Sequence, residues 1–132
     1  MPKILIVDDE AYIRRLIEQT LEELEEEGVE LLTADNGADA LEAIQAKRPE
    51  LVFLDVMMPV MNGFDMCYAV KRELGLEDVY IVMLTAKGQE FDRQRGEEVG
   101  ADMYMTKPFD PDALLEKAAE VLGVGGGVSL LP

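Results

Sequence analysis

Short, fully apolar runs alternate along this chain with segments whose apolar residues recur at helical spacing. The runs at residues 4–7, 51–54 and 80–84 are nearly free of polar side chains. Such runs are typical of strands that are buried on both faces of a parallel sheet. Weaker runs at residues 29–34 and 101–105 predict two further strands.

Most segments between these runs have the periodicity of amphipathic helices. Residues 88–99 differ, because Phe91 and Val99 are their only large apolar residues, and they predict a weakly packed, mobile helix. The alternation of strands and helices predicts an α/β fold with a doubly wound, five-stranded parallel sheet and helices on both faces. The apolar helix positions are Ile13, Leu16, Ile17, Leu21 and Leu24, then Ala40, Leu41 and Ile44, then Phe64, Cys67, Val70 and Leu74, and finally Leu114, Leu115, Ala118, Val121 and Leu122.

One domain is expected over residues 1–122 of the 132 in the chain. That length is sufficient for a hydrophobic core. Residues 123–127 are mostly glycine, which is a flexible linker composition. We therefore expect residues 123–132 to form a flexible tail or the stump of a linker.

Composition excludes several classes of function. The net charge of −16 would repel phosphate backbones and anionic lipid, so we expect no direct binding of nucleic acid. No apolar stretch approaches the roughly 20 residues of a membrane span, so we expect no membrane insertion. The absence of histidine excludes histidine-based catalysis and histidine-ligated metals. Cys67 is the only cysteine, and we expect it to be a buried apolar residue. The first strand leaves no room for a signal peptide, so a cytoplasmic location is expected.

Polar residues stand at the ends of four predicted strands. Asp8 and Asp9 follow the first strand, Asp55 the third, Thr85 the fourth and Lys107 the fifth. Open α/β sheets bind their ligands at the carboxyl ends of the strands. If these strands are neighbours, the side chains meet in one cleft.

Carboxylates that crowd together repel each other, and a divalent cation removes that cost. Oxygen ligands without cysteine or histidine favour Mg²⁺, with Mn²⁺ or Ca²⁺ as alternatives. A metal, a lysine, a hydroxyl and a further carboxylate suit phosphoryl transfer, in which catalysis is mostly positioning and charge neutralisation. An aspartate can itself be the nucleophile and form an acyl phosphate.

The strand ends and the loop after the third strand carry five motifs: Val7-Asp8-Asp9-Glu10, Leu54-Asp55-Val56-Met57-Met58-Pro59, Asn62-Gly63, Leu84-Thr85-Ala86 and Lys107-Pro108-Phe109. Together these motifs resemble the response-regulator receiver domain of two-component signalling, and the chemotaxis regulators in particular. The resemblance covers about residues 3–122 and implies the strand order 2-1-3-4-5 of flavodoxin-like folds.

The resemblance implies a role for each acidic residue. Asp55 would be the phosphoacceptor, and Asp55 and Asp9 would bind Mg²⁺ directly. Asp8 would act mainly through water, and the backbone carbonyl of Met57 would complete the protein ligands. The Met57 and Lys87 side chains would flank the path of water to the phosphoryl group.

The remaining motif residues would act on the phosphoryl group or respond to it. Lys107 would pair with the phosphoryl oxygens, and the Lys107–Pro108 bond would be cis. Thr85 and Tyr104 match the two switch positions. Phosphorylation would change the face formed by residues 87–99, 101–105 and 111–122.

The chain is thus expected to be a phosphorylation switch in a two-component phosphorelay. A histidine kinase or a histidine phosphotransfer protein would supply the phosphoryl group, and a partner or output domain would read the changed face. The protein would be a monomer or a phosphorylation-dependent dimer. It would not be an enzyme beyond catalysing its own phosphorylation and dephosphorylation.

Three alternatives compete with this hypothesis. A Mg²⁺-dependent aspartyl-phosphate phosphatase of the haloacid dehalogenase type needs a second acid two residues after the nucleophile, where this chain has Met57. A flavodoxin-like FMN carrier needs a phosphate-binding loop after the first strand, where the acids Asp8, Asp9 and Glu10 would repel phosphate. A degenerate receiver that serves only as a protein-interaction module would not need the acids, Thr85 and Lys107 that are all present.

Overall fold

The computed structural model describes residues 1–58, 61–86 and 93–124. Five parallel strands form one sheet in the order β2-β1-β3-β4-β5, which confirms the predicted fold class and strand order. The strands are β1 (Lys3–Val7), β2 (Glu30–Ala34), β3 (Leu51–Asp55), β4 (Tyr80–Ala86) and β5 (Met103–Lys107).

Helices pack on both faces of this sheet, and several begin at a side-chain cap. The side chains of Asn36, Asn62 and Asp110 each accept a hydrogen bond from a backbone N–H in the first helical turn. Such caps satisfy donors that have no partner within the helix. The helices are α1 (Ala11–Thr20), the single turn α2 (Glu22–Glu25), α3 (Gly37–Lys47), α4 (Gly63–Tyr68) with its π-helical continuation Ala69–Glu73, α5 (Arg93–Val99) and α6 (Pro111–Leu122).

The core consists of two apolar layers, one on each side of the sheet. Alternate residues of a strand point to opposite faces, so each central strand contributes to both layers. In β3, Val52 and Leu54 join the layer beneath α3 and α4, whereas Leu51 and Phe53 join the layer beneath α1 and α6. Every residue of β3 is buried, which confirms the prediction made for its apolar run at residues 51–54.

The fifth strand begins later than its apolar pattern predicts. Asp102 was expected within this strand but precedes it, and its carboxylate accepts a hydrogen bond from the backbone N–H of Ile81 at 2.8 Å. The same carboxylate lies 2.8 Å from the ammonium of Lys71, whose side chain is 4% exposed. The strand also ends later than predicted, since Lys107 is its last residue rather than a residue that follows it. Thr85 likewise lies within β4 rather than after it.

Leu74 does not continue the buried stripe of the third predicted helix, since it is 40% exposed. The helix widens to π geometry at Ala69–Glu73, and the N–H of Leu74 donates to the carbonyl of Ala69, five residues back. A π turn shifts the residues that follow it out of α-helical phase. Leu74 therefore leaves the apolar face.

The predicted helix over residues 88–99 is described from Arg93 onward, and residues 87–92, including Lys87 and Phe91, lie outside the described residues. Polar contacts hold the last turn of α5. Arg72 donates from Nε to the carbonyl of Glu98 at 3.2 Å, and the buried Cys67 thiol donates to the carbonyl of Val99 at 3.4 Å. These contacts join the last turn of α5 to α4 and its π-helical continuation, and the mobility of the helix stays a prediction.

Residues 125–132, most of the predicted tail, lie outside the described residues. In the described ranges, no helix combines the length and the apolar character that crossing a membrane would require.

Candidate functional site

Strand order brings the predicted site residues to one edge of the sheet. Asp8 follows β1, Asp55 ends β3 and Lys107 ends β5, with β4 between the last two. Carboxylate oxygens of Asp8, Asp9 and Asp55 all lie within 4.8 Å of one another. The ammonium of Lys107 lies 3.0 Å from Oδ2 of Asp8 and 3.5 Å from Oδ1 of Asp55.

Asp8 is fully buried and is held through both its side chain and its main chain. Its Oδ1 accepts a hydrogen bond from the N–H of Glu10 at 2.9 Å, and its Oδ2 accepts one from Lys107. Its backbone carbonyl accepts a hydrogen bond of 2.7 Å from Nη1 of Arg14 in α1. Asp9, by contrast, is exposed at the mouth of the cluster.

Asp55 combines burial with crowding by like charge. It is 3% exposed, and its Oδ1 accepts a hydrogen bond of 3.2 Å from the N–H of Met57. Burial and the adjacent charge of Asp8 raise the pKa of Asp55 from 3.8 to about 6, against the opposing effects of Lys107 and the Met57 N–H. The metal-free cleft therefore resists ionisation of this carboxyl group.

Lys107 is the positive charge of the cleft. Burial alone would lower its pKa, but the hydrogen bond to Asp8 and the charge of Asp55 outweigh that effect and raise the pKa above its usual value. The ammonium therefore stays charged at neutral pH and partly offsets the carboxylates. The Lys107–Pro108 peptide bond is cis.

Gly63 allows α4 to approach the acidic residue at the end of β3. A Cβ atom at this position would lie 2.6 Å from the carbonyl oxygen of Asp55 and 2.8 Å from Cα of Val56. The N–H of Gly63 donates to the carbonyl of Val56 at 2.9 Å. The sequence showed Asn62-Gly63 only as part of a motif, whereas the structure shows that no larger residue fits.

Thr85 and Tyr104, the predicted switch residues, lie on neighbouring strands. The Thr85 hydroxyl is nearly buried and donates a hydrogen bond of 3.4 Å to the carbonyl of Met105. Tyr104 is half-buried and packs against the apolar layer beneath α3 and α4. Since Tyr104 pairs with Met83, two residues before Thr85, Tyr104 and Thr85 share one face of the sheet.

The donor set fits a hard divalent cation. The three clustered groups are all carboxylates, and Mg²⁺ prefers a few oxygen ligands together with water. Met57 follows Asp55 closely, and its N–H donates to Oδ1 of Asp55, whereas the residue is 60% exposed. The ligand role of its carbonyl stays a prediction.

Sequence patterns do not single out Arg14. An arginine within an amphipathic helix is usually solvated, and the apolar periodicity of α1 is the same with or without it. Only the path of the chain from β1 into α1 brings the guanidinium to the Asp8 carbonyl.

Comparison with known proteins places this geometry in a family. The family model for the response regulator receiver domain matches residues 4–119. Over 119 residues the chain is 44% identical to the phosphate regulon transcriptional regulatory protein PhoB of Pseudomonas aeruginosa, covering 90% of this chain and 51% of that protein. Over 120 residues it is 40% identical to the alkaline phosphatase synthesis transcriptional regulatory protein PhoP of Bacillus subtilis, covering 91% of this chain and 48% of that protein.

A solved structure shares the fold at nearly full length. The chemotaxis protein CheY4 of Vibrio cholerae superposes with a TM-score of 0.79 at 37% identity, covering 92% of this chain and 98% of that one. The chain spans about half the length of the curated relatives it matches. From the family model, the strand order and the cluster of acids with Lys107, we conclude that this chain belongs to the response regulator receiver domain family.

Proposed function

We propose that this chain is a phosphorylation switch whose phosphoacceptor is Asp55. One observation carries the proposal: Asp55 is buried at a strand end, clustered with two further carboxylates, and its Oδ1 lies 3.5 Å from the Lys107 ammonium. A lone buried aspartate would serve packing or capping. An aspartate in a cluster of acids beside a lysine is arranged for a multiply charged ligand.

In the proposed reaction, a carboxylate oxygen of Asp55 attacks the phosphorus of a phosphohistidine in a kinase or a phosphotransfer protein. The new P–O bond forms as the P–N bond breaks, and the electron pair of that bond leaves with the imidazole. Because the pKa of Asp55 is about 6, the carboxyl group is mostly ionised at physiological pH and can act as the nucleophile.

Charge neutralisation is the main demand of this step. Lys107 already lies between Asp8 and Asp55 and would pair with the incoming phosphoryl oxygens. The residues that would hold Mg²⁺ are Asp9 and Asp55 directly, Asp8 mainly through water, and the Met57 carbonyl. The bound ion would supply further positive charge next to the phosphoryl oxygens.

The phosphoryl group would act on the switch residues through Thr85. In the strand register Asp55 pairs with Leu84, so Thr85 is one residue beyond the partner of the phosphoacceptor. A phosphoryl group adds about −1.5 to −2 charge and three acceptor oxygens. It would compete with the Met105 carbonyl for the Thr85 hydroxyl, whose present bond is long at 3.4 Å. Tyr104, on the same face of the sheet, would then repack.

The face that changes would comprise residues 87–99, 101–105 and 111–122, and a partner or output domain would bind it. The relatives are named transcriptional regulators and are about twice as long as this chain. With a net charge of −16, these 132 residues would not themselves bind DNA, so any such output would come from another domain. We place the protein in the cytoplasm, as a monomer or a phosphorylation-dependent dimer, with residues 1–122 as the domain and 123–132 as a tail or linker.

Intact mass spectrometry after incubation with acetyl phosphate and Mg²⁺ tests the proposal. Wild type should gain the mass of one phosphoryl group, and Asp55→Asn should not. Asp35→Asn is the matched control, because Asp35 follows β2 at the same edge of the sheet but lies outside the acidic cluster. Rapid turnover of the donor without a mass gain would indicate a phosphatase. No mass gain and no turnover would indicate a receiver used only for protein contacts.

A further inference from the structure

The contact between Arg14 and the Asp8 carbonyl is short and charge-assisted. Nη1 of Arg14 lies 2.7 Å from the carbonyl oxygen, and the arginine is half-buried at the start of α1. Hydrogen bonds with a charged donor are roughly twice as strong as neutral ones. The next residue, Arg15, is exposed and has no hydrogen bond or ion pair to any described part of the chain. The two arginines thus carry the same charge, but only Arg14 forms a hydrogen bond within the described part of the chain.

The Arg14 bond completes the set of contacts that hold Asp8. The N–H of Asp8 donates to the carbonyl of Ala34 at 3.3 Å, and the carboxylate accepts from Glu10 and from Lys107. The carbonyl is the remaining polar group of Asp8, and it accepts the hydrogen bond from Arg14. The two successive peptide groups that flank the Cα atom of Asp8 are thereby each held by a hydrogen bond.

Asp9 is the next residue in the chain, and Arg14 bonds to the carbonyl of the peptide group that joins Asp8 to Asp9. Asp9 is the exposed member of the acidic cluster and lies in the loop of residues 8–10 that joins β1 to α1, here called the β1–α1 loop. Glu10 at the N-cap of α1 makes no side-chain capping bond. Two contacts therefore join the start of the helix to the strand end in place of a side-chain cap: the N–H of Glu10 donates to the Asp8 carboxylate, and Arg14 donates to the Asp8 carbonyl.

We infer that Arg14 is a positioning residue, which fixes the β1–α1 loop so that Asp8 and Asp9 present their carboxylates to a divalent cation. This inference rests on the proposed function, because it assigns Arg14 to the geometry of the same cleft. Removing groups that orient metal ligands typically weakens metal binding by about ten-fold or more.

The test compares Arg14→Gln with Arg15→Gln, since both variants remove one positive charge from the first turns of α1. Isothermal titration calorimetry with Mg²⁺ should give the Arg15→Gln variant a dissociation constant close to that of wild type. The Arg14→Gln variant should bind Mg²⁺ about ten-fold more weakly. Removing a positive charge beside the acids would by itself strengthen binding of a cation, so the expected direction is opposite to the simple electrostatic effect.

A second measurement needs no metal. Amide hydrogen exchange in EDTA should be faster in the β1–α1 loop of Arg14→Gln than in wild type, with no change in Arg15→Gln. If Arg14→Gln does not fold, Arg14→Lys provides the comparison. It keeps the charge but not the planar guanidinium, and we expect weaker Mg²⁺ binding and faster loop exchange than in wild type.

The inference is overturned if the Arg14 variant that folds binds Mg²⁺ as tightly as Arg15→Gln, or if loop exchange is the same in both. Failure of the proposed function has a different signature. In that case wild type itself would show neither Mg²⁺ binding nor a phosphoryl mass gain, and the inference about Arg14 would fall with it.

Discussion

Replacing Asp55 with asparagine should stabilise the metal-free protein at neutral pH. The folded state raises the pKa of Asp55 from 3.8 to about 6, because the carboxyl group is buried and lies beside Asp8. A raised pKa in the folded state means that ionisation favours the unfolded state. The cost is absent well below pH 3.8, grows as the pH rises and is complete above about pH 6. Asparagine behaves like the neutral acid at every pH, and its Oδ1 can still accept from the Met57 N–H.

The magnitude follows from the pKa difference. At about 1.4 kcal/mol per pH unit, a shift from 3.8 to about 6 corresponds to about 3 kcal/mol at pH 8. About half of that difference should remain at pH 5, where Asp55 is mostly protonated in the folded protein but mostly ionised in the unfolded chain. An effect of this size is a large fraction of the free energy of unfolding of a small domain.

Urea unfolding in EDTA, followed by far-ultraviolet circular dichroism, would measure the difference at pH 5 and pH 8. Asp35→Asn removes the same charge at the same edge of the sheet and should change stability little at either pH. Added Mg²⁺ should reduce the difference, because it binds folded wild type more tightly than the variant. The reasoning fails if Asp55→Asn is no more stable than wild type at pH 8. It also fails if the gain is as large at pH 5, or if Asp35→Asn shows an equal gain.

Three further predictions concern neighbouring residues of the cleft. Mg²⁺ should raise the melting temperature of wild type by mass action, and Asp9→Ala should lose most of that response; an equal response in both proteins would refute the ligand role of Asp9. Thr85→Ala should still gain one phosphoryl group but lose most of the phosphorylation-dependent change in hydrogen exchange over residues 93–122; a wild-type exchange pattern would exclude this coupling route. Gly63→Ala should lower the free energy of unfolding by about 1–3 kcal/mol in urea titrations, because its Cβ would lie 2.6 Å from the Asp55 carbonyl oxygen; an unchanged midpoint would contradict that contact.

The sequence by itself was sufficient for the strands, the core and the composition of the cleft. Runs such as residues 51–54 are apolar at every position, and only a strand covered on both faces buries all of them. Parallel strands share one carboxyl edge, so the sequence is sufficient to place Asp8 and Asp55 at the same edge of the sheet. The order of the strands came from the resemblance carried by the motifs, because apolar periodicity does not specify which strands are neighbours.

The polar contacts between distant segments were decided only by the tertiary structure. Apolar patterns report which side chains leave water, but not which donor reaches which acceptor. Asp102 precedes β5, accepts a hydrogen bond from the backbone N–H of Ile81 and pairs with Lys71. Arg72, in the π-helical continuation of α4, donates to the carbonyl of Glu98 near the end of α5, although 26 residues separate the two in the chain.

The residues of the cleft also differ in this respect, because the sequence identifies some of them and only the structure explains the others. Its acids are visible in the sequence because they interrupt apolar runs, whereas Arg14 lies in a helix where charged residues are common. Gly63 is visible in the sequence, but the reason for a glycine is that a Cβ atom at this position would lie 2.6 Å from the Asp55 carbonyl oxygen. The roles of Arg14 and Gly63 depend on how closely α1 and α4 approach the strand ends. Packing in three dimensions sets that distance, and no local sequence pattern specifies it.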